Sequence, residues 1–445
     1  MHRRTRLRIL LALVLLAGSV FGGRAVMADP ADRSDLMTDG APTRNTLITV
    51  QSYQWFDHNN GQAFIVTPTG ERVWTFDPPN SRVFDAEILT DGHVLVSMAT
   101  YVPAAECPPA FQNTDRGADH CVHNRVVEVD RDGNRIVWEY DWYDAFIHWH
   151  EVHDADRLPS GETAIIDMGN DRAFTVNRAG EITWEWRARE HIGPGSDFWD
   201  EYVPAGEREA FRPTGPESDW THMNDIDALA DGTFQLSIRN FDVVIVVDPE
   251  TNTIESVTGR PGADGVLSEQ HDPNRIESAD TLLVADSEND RVVEYALGSE
   301  EMVWQYRGVD DPVQWPRDAD RLPNGHTLVA DSRNFRVLEL DADGDVVWEH
   351  SLAEERGIVY DVDRVGLPEE PDDVPGGRAL ESRGGRGPLG AASATVESWA
   401  QFVFPPWVGL LDLVVLLVGI IAAVVLLVDL LTNGVPARWG RRGAR

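Results

Sequence analysis

HDADRLPSG at 153–161 returns as RDADRLPNG at 317–325. Weaker copies begin at Phe84 (FDAEILTDG), Asn224 (NDIDALADG) and His271 (HDPNRIESAD). The Asp that opens the shared phrase sits at 85, 154, 225, 272 and 318, at spacings of 69, 71, 47 and 46. The last two spacings give the bare period, and the first two carry insertions. A unit of about 40–50 residues made of short strands cannot bury its own apolar face, so the period predicts a β-propeller. Within each unit the third strand reads NRVVEVD (124–130), DRAFTVN (171–177), FDVVIVV (241–247), DRVVEYA (290–296) or FRVLELD (335–341). The fourth closes on Trp, as in GNRIVWEY (133–140), GEITWEW (180–186), EEMVWQY (300–306) and GDVVWEH (344–350). Apolar residues alternate in these runs, and Gly, Asp and Asn bound them, as half-buried antiparallel strands require. Residues 46–76 supply three strands of a unit without the first, and DVDRVGL at 361–367 resembles the missing one. The expected fold is therefore all-β: a six-bladed β-propeller over 45–367. One blade is closed by strands from both ends, which removes open sheet edges.

The chain has 445 residues, 75 of them acidic and 38 basic, with a net charge of −37. It contains no Lys. Nine of the Arg lie in the two termini (Arg3, Arg4, Arg6, Arg8, Arg24, Arg438, Arg441, Arg442, Arg445), which hold no acid, so the middle is more acidic still. Such self-repulsion is relieved only by strong screening, which suggests a halophilic protein. No basic groove exists for nucleic acid.

Residues 1–28 combine an Arg-rich start with the apolar run Ile9–Leu16, a pattern of a signal peptide or signal anchor. Val408–Leu431 is long and apolar enough to span a bilayer, so 406–432 is expected to be a transmembrane helix after a flexible linker at 368–405. The basic tail 433–445 then lies in the cytoplasm by the positive-inside rule, with the propeller outside the cell membrane. Cys107 and Cys121 share one insertion, and a disulfide is the expected state in an oxidising compartment. His120 and His123 nearby keep a metal site open as the alternative.

Trp74, Trp138, Trp184, Trp304 and Trp348 hold one repeated position and read as core. Departures from the repeat are the candidates for function. His153, His222 and His271 fall near the first strand of consecutive blades, where side chains line a central channel. Alternation places His222 and Asn224 on one strand face, with Arg239 on the next strand. The same blade has Asp242 where its neighbours have Arg291 and Arg336. A neutral imidazole is a nucleophile near pH 7, and Arg, Asn and a second His can hold a transferring oxoanion.

His222-x-Asn224 followed by Arg239, together with Gln270-His271-Asp272 and the Gly-x-Ile-x-Trp repeat style, resembles the nucleotide-independent aryl-sulfate sulfotransferases. The likeness covers roughly 45–352. It implies a six-bladed propeller that moves a sulfuryl group from a phenolic sulfate ester to a phenol. His271 would be transiently sulfated, with His222, Asn224 and Arg239 holding the group and His153 a further site histidine. Trp149, Trp220 and Trp315 would lie near the phenolic donor and acceptor. The family carries a disulfide, which Cys107–Cys121 would echo. No cofactor and no metal are called for. Two other readings are a non-catalytic cell-surface binding module and a metal-dependent hydrolase built on His148, His150 and His153.

Overall fold

A computed structural model of the chain describes residues 3–27, 36–38, 40–53, 60–112, 120–145, 149–215, 218–299, 301–308, 312–353, 355–367, 374, 376 and 410–433. They form two units, one built on residues 33–386 and one on the two ends of the chain.

The larger unit is a six-bladed β-propeller of antiparallel sheets. The first blade runs Ser81–Ile88, Val94–Pro103, His120–Asp130 and Arg135–Asp144. In the second, Thr163–Asp167, Arg172–Val176 and Ile182–Arg187 form the sheet. Its innermost segment is held by the bridges Val152 to Asp167 and Arg157 to Thr163. The third blade is Met223–Ala228, Phe234–Ile238, Val243–Asp248 and Thr253–Gly259. The fourth is His271–Ile276, Thr281–Asp286, Arg291–Ala296 and Met302–Tyr306. The fifth is Pro316–Arg321, Thr327–Asp331, Arg336–Leu340 and Val346–Ser351, with Leu36–Met37 added at its outer edge. The sixth joins the ends of the domain. Ile358–Arg364 is its inner strand and pairs with Thr46–Ser52, Ile48 opposite Val362. Gln62–Val66 and Arg72–Phe76 complete it.

The repeated Trp explains how blades stick together. Trp138 receives Arg157 of the next blade over its ring at 4.8 Å, Trp184 stacks on Phe234, and Trp304 and Trp348 receive Arg321 and Arg364. Those Arg also bind a Glu of the preceding blade: Arg157 to Glu128, Arg321 to Glu294 and Arg364 to Glu339. Three interfaces thus bury an aromatic face under a paired cation, and the Trp184 interface buries it under Phe234 instead.

A second repeated lock sits inside the blades. Asp286 accepts from Asn289 and Arg291, Asp331 from Asn334 and Arg336, and Asp167 from Asn170 and Arg172. The following residue in each turn is left-handed, as at Asp171, Asp290 and Phe335. Asp242 shares that conformation, so it aligns with Asp290, and Val243 aligns with Arg291 and Arg336. The expected alignment of Asp242 with those Arg is one residue out. The third blade replaces the lock with Ile238, Phe241 and Val243.

Cys107 and Cys121 form a disulfide, so neither is available to a metal. The insertion 188–221 is largely a packing device. Ile192, Phe198, Trp199 and Val203 join the apolar core of the second and third blades. Of the expected linker, only Val374 and Gly376 are described; Val374 is buried beside Ile276, and its carbonyl accepts from Ser278.

In the smaller unit a helix, Arg3–Met27, packs along a second, Leu410–Asn433. Gly419 meets Ala17 so closely that an added Cβ would lie 2.8 Å from that of Ala17, the small-residue contact that lets apolar helices approach. Asp412–Asn433 is long and apolar enough to cross a membrane.

Candidate functional site

The channel is organised by two adjacent positions of the inner strands. One carries Asp85, Asp154, Asp225, Asp272, Asp318 and Asp361, one per blade. The position before it carries Phe84, His153, Asn224, His271, Arg317 and Tyr360, different in nearly every blade. Eleven residues of these two sets, all but Phe84, line one cavity.

The carboxylates fasten blade to blade. Asp154 accepts from the Ile226 N–H, Asp272 from Ala319, Asp318 from Val362 and Asp361 from Ala86. Each bond reaches the residue two places after the variable position of the next blade. Pairing is irregular here. Val83 and Asp85 have partners in register while Phe84 is skipped, and Asn224 and Arg317 are skipped likewise. A β-bulge re-aims the side chain at the extra residue, and here it serves the channel. It also breaks the alternation expected for His222 and Asn224. His222 lies ahead of the strand with φ 47° and reaches the site from a left-handed turn.

The three histidines come together. The rings of His153 and His222 are 5.3 Å apart, and Tyr360 lies 5.8 Å from His153 and 5.9 Å from His271. His271 Nδ1 is 2.8 Å from Ser287 Oγ and 3.2 Å from the Glu269 carbonyl. The Ser287 hydroxyl itself donates to the Pro316 carbonyl. Both neighbours are therefore acceptors for Nδ1–H, which leaves the lone pair of the neutral ring on Nε2. That Nε2 is buried and has no hydrogen-bond partner. Burial, with the cations Arg317 and Arg239 and the nearby histidines, holds His271 well below the usual imidazole range. Burial and His222 do the same to His153. His222 is also lowered by burial and Arg239, against Asp219, whose carboxylate binds its Nδ1 at 2.8 Å. The ring nitrogens are thus poised as lone-pair donors at neutral pH.

Arg239 stands where the other blades have Ser287, Ser332 or Met168, at the start of the turn whose lock the third blade lacks. It is paired with Glu269 and Asn240. Sequence reasoning missed Arg317, Tyr360 and Ser287. Arg317 is buried, stacked 3.9 Å from Trp315 and 4.6 Å from Tyr360, and bonded to Gln51. Among the described residues it has no carboxylate partner. Burial pulls its guanidinium down to about 9, so it stays a cation at neutral pH. The Tyr360 hydroxyl is buried without a hydrogen-bond partner, and burial keeps it un-ionised. The signal for both was their place one residue before the repeated Asp.

The tryptophans divide. Trp149 is exposed at the rim, 5.8 Å from His222, and Trp315 is buried 6.4 Å from His271. Trp220 is not in the channel. Its indole packs on Phe241 and donates to the Phe211 carbonyl, because the insertion carries it into the core between blades. For the expected metal cluster, His148 lies outside the described residues and His150 is paired with Asp144 at 2.9 Å.

The model of the family described as Arylsulfotransferase (ASST) matches residues 35–270, more than half of the chain, and ends one residue before His271. No curated protein matches the chain. Among solved structures it is similar to a protein of unknown function from Bacteroides caccae (15% identity, TM-score 0.49, 72% of this chain and 98% of that one). It is also similar to virginiamycin B lyase from Staphylococcus aureus (12%, 0.40, 72% and 90%) and to a periplasmic gluconolactonase from Pseudomonas aeruginosa (15%, 0.42, 73% and 99%).

Proposed function

The chain belongs to the arylsulfotransferase family, and from that premise we propose that its channel moves a sulfuryl group from a phenolic sulfate ester to a phenol. The observation that carries this reading is the Nε2 of His271, buried and unpartnered with its tautomer set by Ser287 and Glu269. In the first half-reaction that lone pair attacks sulfur. The S–O bond to the aryl group breaks, and the phenolate leaves with its electron pair. Arg317 and Arg239, with the second N–H of Asn224, would hold the sulfuryl oxygens, and the Tyr360 hydroxyl would donate to the departing oxygen. In the second half-reaction the acceptor oxygen attacks sulfur, the N–S bond returns its pair to Nε2, and the phenolic proton passes to His222 or His153. Glu269 and Asn240 hold the terminal nitrogens of Arg239, and its buried Nε–H has no hydrogen-bond partner and is free to donate.

We assign His271, His222, Arg239 and His153 to catalysis, and Asn224, Trp149 and Trp315 to substrate binding. The proposal extends to placement: the apolar C-terminal helix anchors the chain in the cell membrane, with the propeller outside in high salt and the basic tail in the cytoplasm.

The test uses the full chain in detergent and molar KCl, with 4-nitrophenyl sulfate as donor. Nitrophenolate release that requires added phenol and disappears in His271→Asn supports transfer. Lack of turnover by the folded chain across several aryl sulfates would instead leave a binding module.

A further inference from the structure

The ring of repeated Asp does more than fasten blades. We propose that it holds a divalent cation of the calcium class in the channel, directly beneath the oxoanion pocket. The residues at its centre are Asp272, Asp318 and Asp320, and Asp272 and Asp318 share the lining of the cavity with Asp85 and Asn224.

Three observations carry this. The facing oxygens of Asp272, Asp318 and Asp320 all lie within 4.8 Å of one another. Calcium bonds oxygen at about 2.3–2.6 Å, so one ion reaches atoms about 4.6–5.2 Å apart on opposite sides, whereas magnesium demands shorter bonds and a stricter octahedron. Next, Asp318 gives Oδ2 to the Val362 N–H, and its Oδ1 is buried without a hydrogen-bond partner, as is Oδ2 of Asp85. Asp318 is 2% exposed and Asp85 6%, and both line the cavity. The third observation is not a carboxylate. Asn224, 4% exposed, lines the same cavity and gives its Nδ2 to the Gln270 carbonyl, while its Oδ1 has no hydrogen-bond partner. An unsatisfied amide carbonyl beside unsatisfied carboxylate oxygens asks for a cation, since a proton shared among carboxylates would leave the carbonyl unmet.

The location has a consequence. Those carboxylates of the channel that ionise would repel an anionic substrate held beside them. A divalent cation held by Asp272, Asp318 and Asp320 offsets that field. The cation site stands whether or not the propeller transfers sulfate, because its test does not read activity.

The experiment takes the full chain, stripped with chelator and dialysed into molar KCl with or without millimolar Ca²⁺. Bound calcium is measured by mass spectrometry of the metal, and unfolding by calorimetry. The expected result is one calcium per chain and a melting temperature several degrees higher with Ca²⁺. Asp318→Asn and, separately, Asp272→Asn should lose the bound ion and the Ca²⁺-dependent rise. Less than a tenth of an ion per wild-type chain, with unchanged melting, would overturn the proposal, and so would a rise that persists undiminished in both variants. The wild-type stoichiometry decides even if a variant fails to fold.

Discussion

Asp272 and His271 are neighbours in one strand, yet they belong to rings that follow opposite rules. The ring of Asp85, Asp154, Asp225, Asp272, Asp318 and Asp361 is the same residue six times. Four of its members bind the next blade's backbone by the same hydrogen bond. The ring of Phe84, His153, Asn224, His271, Arg317 and Tyr360 has no such common bond and offers aromatic, imidazole, amide and guanidinium chemistry. A propeller must repeat whatever closes it, because every interface poses the same packing problem. One residue away, side chains line the channel and nothing in common is asked of them, whether the bulge skips that position, as at Asn224 and Arg317, or the next one, as at Asp272. Repetition therefore marks scaffold and divergence marks chemistry, at a resolution of one residue.

Substitutions can break or sharpen this contrast. The largest expected effect is in the variable ring: His271→Asn should lower turnover at least about a thousandfold, as loss of a nucleophile does. Its melting temperature, followed by calorimetry, should stay close to that of the parent. Arg317→Met should cost about 10²–10³ in kcat/KM, the usual loss for one oxoanion donor. Steady-state kinetics on 4-nitrophenyl sulfate would measure it. The constant ring should behave the other way. Asp361→Ala strands the Ala86 N–H and should cost about 1–3 kcal/mol of stability in denaturant titration, with the folded enzyme's kcat within about threefold. If stability were untouched and kcat collapsed, the scaffold reading of that ring would fail. Ser287→Ala removes a positioning residue and should lower kcat about tenfold with KM unchanged, the worth of one hydrogen bond, while Ser287→Thr should restore it. Trp220→Leu should leave KM within about twofold and destabilise the core by about 1–3 kcal/mol, since its indole meets Phe241 rather than substrate.

The period, the blade number and the closure of the last blade could all be read from the chain, because the same strand phrase recurs with its Gly turns. The closing strand Ile358–Arg364 was legible as DVDRVGL, although Tyr360, one place before that phrase, went unread. His153, His222, His271, Asn224 and Arg239 were singled out because they depart from the repeat. Arg317 sits inside the best-preserved copy, RDADRLPNG, and looked like part of it. Its role follows from the bulge that turns position 317 into the channel, and a period-two pattern carries no sign of a bulge. Ser287 was hidden because its partner lies across the blade, 16 residues away. Trp220 misled for a related reason: proximity to His222 in sequence says nothing of direction once the turn at φ 47° intervenes.

The most direct test of the central claim is mass spectrometry on the full chain, denatured and digested at alkaline pH, where a histidine N–S bond survives, after exposure to 4-nitrophenyl sulfate without acceptor. The account predicts a sulfuryl adduct on the peptide containing His271, present before phenol is added and gone after it. Phenol-dependent turnover with no such adduct, or with the adduct on His222 or His153, would contradict it.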